Sequence, residues 1–125
     1  MRIKKIKITV MNLEDSFKES KKIAAEIDKG IFKRHTPIIN FTDFETYKKM
    51  LTPKRLEILK TTKSKTPKNI RELANITKRD FKNVYEDVRI LKDLGMIKLK
   101  KTVDGLMPIA IYDEIEIRIP LEIGN

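Results

Sequence analysis

Along the first ten residues apolar and polar positions alternate. In residues 2–10 (RIKKIKITV), Ile6, Ile8 and Val10 stand two apart with lysine or threonine between them, the period of a half-buried strand. The period then becomes helical. Asn12, with Asp15 three residues on, makes a capping-box-like start; Leu13, Phe17, Ile23, Ala24 and Ile27 fall on one side; Gly30 stops the run. The apolar segment from Pro37 to Phe41 predicts a second strand, so residues 1–43 read as a strand–helix–strand extension, the order of a small parallel crossover unit. Thr42-x-x-Glu45 predicts the cap of a short helix with Phe44, Tyr47 and Leu51 on a shared face.

From Thr52 onward the pattern is helix, helix, long helix, ribbon. Thr52-Pro53 pairs a hydroxyl cap with proline at the first helical position, and the helix it starts turns Leu56 and Leu59 inward as far as about Lys63. Asn69-x-x-Glu72 caps a second helix burying Ile70, Leu73 and Ala74. About three residues, Asn75-Ile76-Thr77, join it to a third helix, with Thr77-x-x-Asp80 as its cap. Phe81, Val84, Val88, Leu91 and Leu94 form the inner stripe of that helix, and Gly95 ends it. Met96–Lys101 and Met107–Ile111 then read as two strands joined around Asp104-Gly105. This is the layout of a helix-turn-helix with a wing. Glu114 to Ile123 alternates again, and Pro120 makes it an edge strand. The predicted class is α+β, a winged helix-turn-helix over residues 44–112, preceded by the strand–helix–strand extension and followed by a strand and tail at 113–125.

Charge sharpens this picture. Residues 52–101 hold 15 lysines and arginines against 6 acids, residues 1–51 hold 12 against 7, and residues 102–125 hold 1 against 5. Nearly all of the formal +10 therefore falls on the helix-turn-helix segment, where a polyanion such as duplex DNA would dock. On the outward side near the start of the third helix stand Lys78, Arg79, Lys82 and Asn83; arginine or lysine can donate to guanine and asparagine can pair with adenine. Lys98, Lys100 and Lys101 on the wing suit the phosphate backbone. Lys54, Arg55 and Lys68, with Lys63 and Lys65, flank the helices as further backbone clamps.

Other chemistries find little to work with. The chain has no cysteine, which excludes disulfides, zinc fingers and thiol catalysis. It has one histidine, His35, read as a partly exposed loop residue. Neither a phosphate-binding glycine loop nor a serine elbow is present, and no apolar run is long enough to cross a membrane. Asp113, Glu114 and Glu116 crowd together, but strand alternation sends Asp113 away from the other two, so they read as a solvent face. The expectation is a cytoplasmic, non-enzymatic protein without a cofactor. Abundant lysine and isoleucine with no glutamine also fit a thermophilic composition.

Four sequence words carry a family resemblance: FETYKKMLTPKRLEIL at 44–59, IRELA at 70–74, RDFKNVYEDVRILKDLGMI at 79–97 and YDEIEI at 112–117. In this order and spacing, residues 44–113 resemble a family of small winged-helix DNA-binding proteins related to the MarR-like regulators, common in archaea and found in some bacteria. The family's usual asparagine-valine pair is present as Asn83-Val84, whereas Lys65-Thr66-Pro67 lacks the glycine that relatives often place before the proline. The resemblance implies a sequence-specific regulator that binds no small-molecule cofactor; some members resemble antitoxins. The expected function is double-stranded DNA binding for transcriptional control, by repression, as a homodimer built on the amino-terminal strand and helix. The alternatives are a protein-interaction role as the antitoxin of a toxin–antitoxin pair, and non-specific nucleic-acid binding.

Overall fold

The computed structural model describes residues 2–31 and 36–122, an α+β arrangement of five helices and two small sheets among those residues. Their order is β1 (Lys5–Val10), α1 (Leu13–Asp28), β2 (Ile38–Phe41), α2 (Phe44–Met50), α3 (Pro53–Lys65), α4 (Ile70–Thr77), α5 (Phe81–Asp93), β3 (Ile97–Thr102), β4 (Gly105–Ala110) and β5 (Glu114–Arg118). His35 and its neighbour Arg34 lie outside the described residues. The elements form two compact units, one of residues 5–49 and 114–125, the other of residues 1–4 and 50–113.

In the first unit β1 is the middle strand of a three-stranded parallel sheet ordered β2-β1-β5. The β1–α1–β2 crossover is thus the one its periodicity predicts. The terminal strand joins β1 of the same chain as an edge strand and stops at Arg118, two residues before Pro120, which cannot donate to a ladder. One face of the sheet buries Ile6, Ile8, Val10 and Phe41. The opposite face is polar. There Lys5 Nζ lies 3.1 Å from Glu116 and 3.7 Å from Glu114, and Thr9 Oγ1 donates to Asn40 Oδ1 at 2.8 Å. The two carboxylates, Glu116 foremost, raise the Lys5 pKa above its ordinary value.

Asn12 caps α1 as expected, its Oδ1 accepting from the Asp15 N–H at 2.9 Å. The apolar side of α1 is left uncovered, since no residue of this helix is buried. Leu13, Phe17 and Ile27 are 59%, 63% and 51% exposed. A correction concerns α2: the side chain that caps it is Asp43, not Thr42, and it accepts from the Thr46 N–H at 2.7 Å. That bond holds the Asp43 carboxyl below its ordinary pKa.

The second unit holds three helices and an antiparallel ribbon. α3 starts on the Thr52 hydroxyl and Pro53, and ends where Thr66 turns left-handed (φ 45°) ahead of Pro67. Its buried residues are Ile58 and Thr62; Leu56 and Leu59, expected inside, are only half-buried. α4 starts on Asn69, whose Oδ1 accepts from the Glu72 N–H at 2.8 Å while its Nδ2 donates to the Asp104 carbonyl at 2.9 Å, tying the helix to the ribbon's turn. α4 continues through Thr77, so Asn75-Ile76-Thr77 belongs to the helix and the connection is Lys78-Arg79-Asp80. Thr77 does not cap α5. Its hydroxyl donates back to the Leu73 and Ala74 carbonyls, a bond that competes with capping the next helix.

α5 buries Val84, Val88 and Leu91 as expected, together with Asp87. Leu94 is half-buried and Phe81 is 38% exposed, so the inner stripe is shorter than its spacing suggests. Gly95 at φ 81° lets the Met96 N–H reach the Leu91 carbonyl at 2.9 Å, which closes the helix and turns the chain into β3. β3 and β4 pair from Ile97↔Ala110 to Thr102↔Gly105 around Val103-Asp104. The core of this unit is Leu51, Ile58, Ile70, Leu73, Ala74, Val84, Val88, Leu91, Met96, Ile97 and Ala110.

Candidate functional site

The buried stripe of α5 fixes what the helix shows outward. Opposite Val84, Val88 and Leu91 stand Lys82, Glu86 and Arg89, with Asn83 on one flank and Phe81 and Tyr85 on the other. All six are exposed. Arg89 is 4.0 Å from Glu86, and the guanidinium of Arg71, on α4, lies 4.9 Å from the Phe81 ring centroid. Lys78 is exposed in the connection, held left-handed at φ 54°.

Two arginines expected at the surface are turned inward. Arg79 Nη2 sits 2.7 Å from Asp87 Oδ2, and Arg55 Nε 3.1 Å from Asp87 Oδ1, with side-chain exposures of 17%, 15% and 12% for Arg79, Arg55 and Asp87. Arg55 Nη1 also donates to the Met50 carbonyl at 3.0 Å. The outward placement of Arg79 and the clamp role of Arg55 are therefore not what the geometry shows. Asp87 carries the reason: a carboxylate set among apolar neighbours needs counter-charges, and these are the two guanidiniums supplied by α3 and by the α4–α5 connection. The signal was in the sequence, since residue 87 falls beside the apolar positions 84, 88 and 91.

The lysines are placed more openly. Lys54 is exposed on the first turn of α3, Lys65 at its end, and Lys68 just before α4, where its N–H meets Glu72 Oε1 at 3.3 Å. Lys98 and Lys100 share one face of the ribbon, opposite Ile109 and Met107, whereas Lys101 lies on the other face beside Leu106. Lys63 is engaged with Asp113 at 2.7 Å. That contact, with the Lys4 N–H, holds the Asp113 carboxyl below its ordinary pKa. Asp113 thus turns to Lys63 while Glu114 and Glu116 turn to Lys5, and the described residues contain no cluster of three metal-ligating side chains. Reading by position missed Arg71, Phe81, Tyr85 and Arg89.

What these elements define is an α+β chain with a cation-rich helical unit whose last helix is open to solvent along its outer face. Residues 50–117 match the HVO_A0114 family, more than half of the chain, and the chain belongs to that family. No curated protein and no solved structure matches it. None of the helices among the described residues is long and apolar enough to cross a membrane.

Proposed function

We propose that this chain is a sequence-specific double-stranded DNA-binding protein of the winged helix-turn-helix type, a regulator acting by repression. In this reading α4 and α5 are the helix-turn-helix, α5 enters the major groove, and the β3–β4 ribbon is a wing resting on the phosphate backbone. One observation carries it: a three-residue connection sets α5 against α4 while leaving Lys82, Asn83 and Arg89 exposed on α5. The charge supports it as well. Setting aside Arg55, Arg79 and Asp87, which neutralise one another in part, residues 52–101 still hold 13 basic against 5 acidic side chains. Lys98, Lys100 and Lys101 supply the wing's cations, and Lys54, Lys68 and Lys78 stand at helix ends where backbone contacts form.

A homodimer belongs to the same proposal, since one short helix reads few base pairs and a two-fold pair doubles the contact. The uncovered Leu13, Phe17 and Ile27 of α1 supply apolar area for it. The same stripe is the one observation that favours the second reading, a protein-interaction role in which α1 holds a different protein.

The test compares variants on a duplex selected from a random pool and on unrelated DNA. Lys82→Ala with Asn83→Ala costs about 1–3 kcal/mol on the selected duplex and little on the other. Lys98→Ala with Lys100→Ala weakens both alike. If the two pairs behave identically, reading of bases by α5 is wrong.

A further inference from the structure

The first two turns of α5 carry two aromatic rings that the core does not take up. Phe81 and Tyr85 remain 38% and 45% exposed. They sit one helical turn apart with centroids separated by 6.0 Å and planes tilted by 30°, so they form one continuous apolar ridge. Arg71 braces that ridge from α4, its guanidinium over the Phe81 face at 4.9 Å, a cation–π contact that fixes the ring's position. An exposed aromatic pair held in place this way offers a shaped apolar contact.

The surroundings say what kind of partner fits. Arg71, Lys78, Lys82, Arg89 and Lys92 are exposed on the same two helices and their connection. Cations around an apolar ridge match a surface in which apolar groups lie between phosphates, and the DNA major groove offers such groups as the C5-methyls of thymine. Phe81 and Tyr85 also occupy the first and second turns of α5, the part of a recognition helix that reaches base edges.

We propose that Phe81 and Tyr85 contact thymine C5-methyl groups, so that α5 selects A·T pairs through the methyl rather than through hydrogen bonds alone. This rests on the DNA-binding reading above. Arg71 acts as a positioning residue, through the Phe81 ring.

Four short duplexes test it by fluorescence anisotropy: alternating A·T, the same with uracil for thymine, alternating G·C, and the same with 5-methylcytosine. Uracil removes only the methyl, and 5-methylcytosine adds it at the matching place in the groove. The wild-type chain should lose about fourfold in affinity for each buried methyl removed and gain in the methylated G·C duplex. Phe81→Ala with Tyr85→Ala should abolish both responses while the salt dependence persists. Tyr85→Ala alone, at the more exposed position, should halve them, and Tyr85→Phe, which keeps the ring, should preserve them. A wild-type chain that binds all four duplexes with equal affinity overturns this inference and leaves DNA binding standing, as does a double variant that still senses the methyl. A wild-type chain that binds none of them overturns both.

Discussion

Asp87 holds two guanidiniums, and all three side chains of this triad are largely buried. Removing it leaves Arg55 and Arg79 largely buried with no carboxylate between them. Breaking such a pair by deleting one partner costs about 3–5 kcal/mol, so Asp87→Ala should lower the unfolding free energy from a denaturant titration by that much. A loss below about 1 kcal/mol, the range of exposed pairs, would show the triad to be ordinary surface charge. Asp113 makes a gentler case. Lys63, then the Lys4 N–H, lower its pKa below the ordinary value of 3.8. The sign follows: a depressed carboxyl contributes stability that is full above pH 3.8 and fades as pH falls through the lower folded value. Lys63→Ala should move the Asp113 titration, followed by carbonyl-carbon NMR, back up toward the ordinary value; an unchanged titration contradicts the assignment. The partners of Asp87 and the Lys63 contact were not legible in the sequence, because Arg55 and Asp87, like Lys63 and Asp113, are remote in the chain. Only Asp87's place among apolar positions hinted at the first.

At the scale of elements, local chemistry was readable where one side chain had a single good use. Asn12, Thr52 and Asn69 cap their helices as their spacing implies, and Gly95 ends α5. The α4–α5 boundary was misread because Thr77 has two uses, capping forward or bonding back to Leu73, and tertiary packing chose the second. Phe81 shows the same limit, since helical spacing placed it on the inner stripe and the α4 surface left its ring to Arg71 instead. For α1, periodicity marked which face is apolar but could not say whether anything covers it. If a second copy covers it, light scattering should find the full chain dimeric at micromolar concentration. Phe17→Glu with Ile27→Glu should then give a monomer of unchanged circular dichroism. A wild-type monomer, or a double variant that still dimerises, would contradict that role for α1.

Over the whole molecule, the α+β class was legible, and the proposed function rests on charge placement. The alternation of β1 and β5 and the three capped helices announced an α+β chain, and the parallel pairing of the terminal strand with β1 brings opposite charges together, Lys5 meeting Glu114 and Glu116. The candidate face was half legible: its lysines were found by position, its two inward arginines and its aromatic ridge were not. The central claim is that the cations of residues 52–101 meet DNA phosphates, and the salt dependence of duplex binding tests it most directly. With about six to ten phosphates neutralised by a dimer, affinity measured by anisotropy should fall by roughly 10³–10⁵ between about 50 and 200 mM salt. A flat response over that range, or no binding at its low end, would contradict the claim.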